Sequence, residues 1–152
     1  MAAVLVAQAF ASPVAANPLA GMAGAWTGTG WALEQPGAPT ERVRCRLDNT
    51  YDAKRDMLDV TGMCAAPGRR VRVEGSMRRE NDGRISGFWH NPDGFGRPNI
   101  HGAANETAVA FTFNAGERSR IVTWRLTGAA LQLTTVDGDD ETTILTDVAF
   151  ER

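Results

Sequence analysis

The two histidines are the residues best suited to metal or haem chemistry. His90 and His101 are the only histidines among the 152 residues, and they flank the segment 91–100. Two imidazoles on either side of one loop could share a metal ion or a haem iron. No Cys or carboxylate follows His101 at ligand spacing, however, so the sequence supplies no third ligand. We treat both as weak metal candidates, expect no cofactor, and keep haem as a minor alternative.

The segment 91–98 is the longest irregular stretch and the best candidate for a binding loop. Phe95 stands between two glycines, where we expect an exposed ring, and Arg97 could recognise an acidic group. Loops on a rigid scaffold carry binding residues more often than strands do. The alternative is a wide turn in which Phe95 only covers one end of the fold.

Other catalytic patterns are weak. The turn from Asp137 to Glu141 offers oxygen ligands of the kind calcium prefers, but its spacing differs from that of an EF-hand, and a solvated acidic turn explains it better. A Ser–His–Asp or Cys–His set could form only around one of the two histidines, and no such set is discernible there. Paired carboxylates occur only in turns. The sequence therefore predicts that the protein is not an enzyme.

Arginines at alternate positions predict a basic stripe on the outside of the fold. They are Arg42, Arg44, Arg46, Arg70 and Arg72. Such a stripe could bind an anionic surface or a glycan. The alternative is an ordinary solvated face, because Glu41, Asp48 and Glu74 are interleaved with the arginines. The whole chain has 16 basic and 18 acidic residues, a net charge of -2, so we expect no nucleic-acid partner.

The two cysteines, Cys45 and Cys64, each lie on the apolar side of an alternating strand pattern. A hairpin with the two cysteines opposite each other puts Leu47 opposite Gly62 and centres the turn within the polar segment 52–56. Opposed cysteines on neighbouring strands can meet disulfide geometry, so we predict a Cys45–Cys64 disulfide. Two buried free thiols are the alternative.

The first 33 residues carry no charge, and they resemble an export signal. An apolar run over 2–11 is followed by small residues, which favours cleavage after Ala16, with Ala11 as second choice. The basic start of such a signal is missing, so a disordered Ala-rich tail is the alternative. The run is too short to span a bilayer. We predict a signal peptide or its remnant over 1–16, a linker over 17–22, a barrel domain over 23–152, and a periplasmic or secreted location.

From residue 25 onward, alternating apolar segments are separated by turn signals every 8 to 12 residues. This spacing is typical of an all-β sandwich or barrel. Because the turns join successive segments, we predict a single antiparallel up-and-down β-barrel of about ten strands. In the last strand, Ile144, Thr146, Val148 and Phe150 are expected to share one face.

The segment Gly24 to Gly30 resembles the opening of calycin-type barrels, which include lipocalins and nitrobindin-like haem barrels. Glu41 to Arg46, a second Cys about twenty residues later, and Gly83 to Trp89 resemble small secreted bacterial proteins of unknown function. These likenesses imply a calycin-like barrel over roughly 21–150. Nitrobindin-like barrels hold haem through a late histidine, which 131–152 lacks. Periplasmic inhibitors of metalloproteases are similar only in a first-strand Trp and one disulfide.

The aromatic residues of such a barrel would line its interior. We predict that Trp26, Trp89, Trp124 and Phe111 form the wall of a binding site, with Phe95 and Arg97 at its rim. Inward glycines either leave a cavity or let the barrel pack on itself. The predicted function is non-catalytic binding of a small apolar ligand. The alternatives are binding of an envelope or secreted protein through barrel-end loops, and binding of haem or a metal. The sequence does not predict an oligomeric state.

Overall fold

The structure is a computed structural model that describes residues 16–90 and 96–152, and over these the chain forms one short helix and ten strands. Their bounds are α1 Pro18–Gly21, β1 Gly24–Ala32, β2 Glu41–Asp52, β3 Met57–Ala66, β4 Arg69–Arg79, β5 Arg84–His90, β6 Asn99–Ala104, β7 Ala108–Ala115, β8 Arg118–Thr127, β9 Ala130–Asp137 and β10 Ile144–Glu151.

Each strand pairs antiparallel with the next, and β1 pairs with β10, which closes the sheet into a barrel. The all-β, up-and-down barrel of about ten strands is therefore confirmed, and the architecture is consistent with a calycin-like fold. Closure leaves no strand edge unpaired within the barrel, which removes the usual route to edge-to-edge aggregation.

The hairpin of β2 and β3 has the register that the alternation predicts. Cys45 lies opposite Cys64 and is bonded to it, and Leu47 lies opposite Gly62. Along β2, residues 43, 45, 47 and 49 are buried and the residues between them are exposed. Because the side-chain period of a strand is two, this single register places the whole apolar set inside the barrel.

One end of the barrel, which we call the closed end, is covered by α1 and the turn after it. Leu19 and Met22 are fully buried there. The carbonyl oxygen of Met22 accepts hydrogen bonds of 2.9 Å from Trp26 Nε1 and from Asn49 Nδ2. The segment 17–22, expected to be a linker, thus contains a helix that packs into the core. The leader expected over 1–16 lies, apart from Ala16, outside the described residues.

The opposite end, which we call the open end, carries the connections 33–40, 67–68, 116–117 and 138–143, and the described residues 96–98. At this end the last strand departs from simple alternation. A register shift between Ile144 and Thr146 leaves Ile144 42% exposed and Leu145 buried. The expectation that Ile144 shares the inward face of β10 was therefore wrong, because the bulge adds one residue before the regular pairing begins.

Candidate functional site

A layer of aromatic rings divides the barrel interior. The Trp89 ring centre lies 5.9 Å from that of Trp124 and 5.6 Å from that of Phe111, and Trp124 stacks on Phe150 at 6.4 Å. Between this layer and α1, the interior is filled by fully buried aliphatic side chains, among them Leu58, Val60, Met77, Ile100 and Val109. The closed-end half is therefore a packed core.

Inward glycines make room for these rings. A Cβ added at Gly75 would overlap the Trp89 ring, and one at Gly28 would overlap the Phe150 ring. The aromatic side chains lie against the backbone where glycine lets them approach. These glycines therefore serve packing of the aromatic layer and do not by themselves create an empty space.

The open-end half of the interior contains a cavity of about 260 Å³. Its walls are mainly apolar and include the disulfide. The apolar lining residues are Ala32, Leu33, Val43, Cys45, Leu47, Cys64, Ala66, Val71, Val73, Trp89, Phe113, Ala115, Val122, Leu133, Leu145, Val148 and Phe150. The volume corresponds to about nine water molecules at roughly 30 Å³ each, and it lies just below the usual range for small-molecule sites.

One inward ion pair lies at the mouth of this cavity. Arg120 Nη1 lies 3.3 Å from Asp137 Oδ2, and the two side chains are only 11% and 6% exposed. The same nitrogen donates a hydrogen bond to the Ser119 carbonyl oxygen at 3.2 Å. Arg120 lines the cavity and Asp137 does not, so the cationic member of the pair borders the cavity.

This pair shows what the sequence reasoning missed. Asp137 was interpreted as part of a solvated acidic turn, but it is 4% exposed and lies opposite Arg120 in the register of β8 and β9. The sequence did indicate an inward Arg120, because Arg120 is in the same alternation as Val122 and Trp124, whose side chains point inward.

The rim of the cavity carries further charges. Arg69 Nη2 lies 2.5 Å from Glu41 Oε2, and both are about one-third exposed. Arg69, Arg72 and Glu34 line the cavity, whereas Glu41 does not. Among the described lining residues, three are arginines and one is a glutamate.

The predicted wall residues are distributed over the whole barrel. Trp89 lines the cavity, Trp124 and Phe111 belong to the aromatic layer beneath it, and Trp26 lies at the closed end. Arg97 lies on the outer surface, 4.0 Å over the Phe88 ring, with Nη2 3.6 Å from Glu74 Oε1.

The two predicted rim residues, Phe95 and Arg97, have different outcomes. Phe95 lies outside the described residues. Arg97 is not among the residues that line the cavity. The acidic group near Arg97 in the structure is Glu74 of the protein itself.

The structure separates the two histidines. His90 lies at the cavity mouth, where its Nδ1 is 2.6 Å from the Gly96 carbonyl oxygen, and His101 is exposed opposite Ser86 on the outer face. Four residues of strand separate Ser86 from His90, about 13 Å. Within 16–90 and 96–152, no group of three metal-ligating side chains is present.

The strongest network of shifted ionisable groups lies at the closed end. Asp56 accepts hydrogen bonds from Asn17, Tyr51 and Arg79, each at 2.8 Å. Burial opposes ionisation of Asp56, but these three donors outweigh it and hold the pKa of the carboxyl below its usual value. Burial, together with the hydrogen bond to Asp56, raises the pKa of Tyr51. This network joins the N-terminal segment to β2 and β4, away from the cavity.

Comparison with known proteins supports the fold. No protein-family profile matches the sequence, and no curated protein matches it. Among solved structures, the chain is similar to the S-type phycobiliprotein lyase CPES from Guillardia theta, with a TM-score of 0.58 and 8% sequence identity, over 88% of this chain and 89% of that one. At this identity the likeness is one of fold.

The comparison corrects one expectation. The prediction that the protein is not an enzyme is corrected, because a barrel of this form bears the name of a lyase. The architecture therefore gives no ground for restricting the protein to binding alone. Separately, within the part of the chain that the structure describes, no helix is long and apolar enough to cross a membrane.

Proposed function

We propose that the barrel binds a small ligand with an apolar body and one acidic group in its open-end cavity. The observation that carries the proposal is an apolar cavity with a largely buried arginine at its mouth. Burial of apolar surface supplies most of the affinity of such a site, and a few placed polar groups fix the orientation of the ligand.

The apolar walls suit a ligand body of modest size. A volume of about 260 Å³ accommodates a ligand of roughly ten non-hydrogen atoms, by comparison with water at about 30 Å³ per molecule. A longer ligand would extend through the mouth. Trp89 and Phe150 would form the floor against which the ligand packs.

Arg120 would bind the acidic group. Its Nη1 is held by Asp137 and Ser119, while Nε and Nη2 make no hydrogen bond to the described residues. A guanidinium that is oriented on one side and free on the other can pair with a carboxylate through two donors. Arg72, which forms no ion pair with the described residues, adds positive potential at the rim and favours an anion over a cation.

The location is part of the proposal. We infer that the protein works in an oxidising compartment, periplasmic or extracellular, because a disulfide joins β2 to β3. The fold of the neighbour named a phycobiliprotein lyase is compatible with a barrel that takes up a small molecule.

The first test is native mass spectrometry of protein purified without denaturation, compared with its denatured mass. A bound molecule that is lost on denaturation is expected, and it would identify the ligand class. Binding of short unbranched carboxylic acids and of the corresponding alcohols is then measured from Trp fluorescence, because Trp89 lines the cavity.

Two alanines of β7 give a matched pair of variants. Ala115 lines the cavity and Ala110 is exposed on the outside, so Ala115→Leu fills the site and Ala110→Leu does not. We expect Ala115→Leu to weaken binding at least about ten-fold, because it takes up much of the limited volume. Equal binding by both variants would place the ligand outside the cavity.

The role of Arg120 as the group that binds the acid is tested by the double variant R120Q/D137N, which removes both charges and leaves a polar side chain at each position. Single replacement would leave a buried charge unpaired and would destabilise the barrel. We expect wild type to prefer acids over alcohols by about ten-fold and the double variant to lose that preference. If wild type binds both equally, Arg120 is not the group that binds the acid.

A further inference from the structure

The outer face of β2, β3 and β4 beside the open end carries a group of arginines that we call the basic patch. It consists of Arg42, Arg44, Arg46, Arg70 and Arg72, all of them exposed. Arg72 also lines the cavity. The basic patch therefore adjoins the mouth of the cavity.

Strand register arranges the patch in rows across three strands. Met63 of β3 lies between Arg46 and Arg72, and Ala65 lies between Arg44 and Arg70. Arginines in one row are about 10 Å apart, and rows are about 7 Å apart along a strand. Both separations are close to the Debye length of about 8 Å at physiological salt, so these charges repel one another.

The nearby carboxylates do not neutralise the patch. Glu41 pairs with Arg69, and Glu74 lies near Arg97. Asp48, the next outward residue of β2 after Arg46, forms no ion pair with it, and within 16–90 and 96–152 none of the five patch arginines forms one. Five arginines beside Glu41, Asp48 and Glu74 therefore leave this face with a net positive charge.

Apolar groups are interspersed with these charges. Met63 is 39% exposed in the middle of the patch. Trp31, half-buried on the outer face of β1, lies opposite Arg42. A surface that combines unpaired cations with an exposed apolar side chain suits the headgroup region of an anionic bilayer, where charge attraction and shallow insertion act together.

We propose that the basic patch docks the barrel on an anionic lipid surface, with the mouth of the cavity beside that surface. Charge complementarity and the exposed Met63 favour lipid over nucleic acid. Single-stranded nucleic acid is bound by successive bases stacking on several aromatic rings, whereas the patch has one half-buried ring, Trp31, at its edge. The proposal does not depend on a ligand in the cavity.

The test is co-sedimentation of the full chain with vesicles of phosphatidylcholine alone, or of phosphatidylcholine with about one third phosphatidylglycerol. We expect binding to the anionic vesicles only, and loss of binding at about 1 M NaCl, where the Debye length is about 3 Å. The triple variant R44Q/R46Q/R70Q is expected to bind on the order of 100-fold more weakly, at about five-fold per arginine. These three arginines do not line the cavity.

The matched control is R78Q/R118Q/R125Q, which removes three exposed arginines that lie outside the patch. We expect it to keep vesicle binding within about three-fold of wild type, since its charges lie more than a Debye length from the patch. Thermal melting of both triple variants confirms that each one folds.

Three results would overturn the proposal. They are failure of wild type to bind anionic vesicles, equal loss in the two triple variants, and tighter binding to single-stranded DNA than to vesicles. The DNA result would reassign the patch to a polyanion. Replacement of Met63 by Gln is expected to weaken vesicle binding further at constant charge, by about three-fold or more, because shallow insertion is lost.

Discussion

Two fully enclosed tryptophans differ in one hydrogen bond. Trp26 and Trp124 are 2% and 0% exposed. Trp26 Nε1 donates to the Met22 carbonyl oxygen, whereas Trp124 Nε1 has no partner among the described residues. Buried indole N–H groups usually find a partner, so the comparison isolates what this bond contributes.

We expect Trp26→Phe to lower the free energy of unfolding by about 1 to 2 kcal/mol more than Trp124→Phe does. Both variants lose a similar volume, but only the first breaks a hydrogen bond, and the second relieves an unsatisfied donor. Urea unfolding monitored by circular dichroism measures both. Equal losses would show that the bond to Met22 adds nothing to stability.

Asp56 links the N-terminal segment to the sheet through its carboxylate. Its backbone has φ of 46°, a left-handed conformation that Asn also tolerates, so Asp56→Asn changes charge without new strain. Its carboxylate accepts bonds from Asn17, Tyr51 and Arg79. Loss of the charge would weaken the link between the N-terminal segment and the sheet.

The pH dependence follows from the depressed pKa of Asp56. A folded-state pKa below the unfolded value of about 3.9 contributes stability above that pH, and the contribution is lost as pH falls through the folded value. We expect Asp56→Asn to cost about 1 to 3 kcal/mol at neutral pH and less in acid.

The measurement is urea unfolding at pH 7 and near pH 3, with Asp82→Asn as control. Asp82 also has a lowered pKa, caused first by the backbone hydrogen bond from Arg84, but it is exposed, so its replacement should change stability much less. A cost for Asp56→Asn that stays constant from neutral to acid pH would contradict the linkage.

At the scale of elements, some features were readable from the sequence and others were not. The β2–β3 register could be predicted, because opposed cysteines, alternation and a polar turn all select the same pairing. Helix α1 could not be predicted, because four residues are too few to show a helical periodicity. The bulge before Thr146 was also hidden, since both Ile144 and Leu145 are apolar and only packing decides which one points inward.

The disulfide joins the two strands of one hairpin, β2 and β3. It closes a loop with a sequence separation of 19. We expect C45A/C64A to lower the free energy of unfolding by about 3 kcal/mol, chiefly by releasing the unfolded chain from the cross-link. Urea unfolding measures the change, and reduced wild type is the control. A variant as stable as oxidised wild type would contradict this account.

At the scale of the whole molecule, the two ends of the barrel have different roles. The closed end contains the packed core, α1 and the Asp56 network, whereas the open end contains the cavity and adjoins the basic patch. The cavity could not be inferred from inward glycines, because Gly75 and Gly28 receive the Trp89 and Phe150 rings. Whether a small residue leaves space depends on side chains from other strands, which alternation does not specify.

Barrel closure also imposes an order on biosynthesis. Nine of the strand pairings join neighbours along the chain, but the tenth joins β1 to β10, with Thr27 opposite Glu151. If the chain folds from its N-terminus, hairpins can form one after another, while β1 keeps an open edge until the final strand pairs with it. Such a late, long-range contact is slow to form. The nascent meander therefore depends on its last residues to shield its first strand.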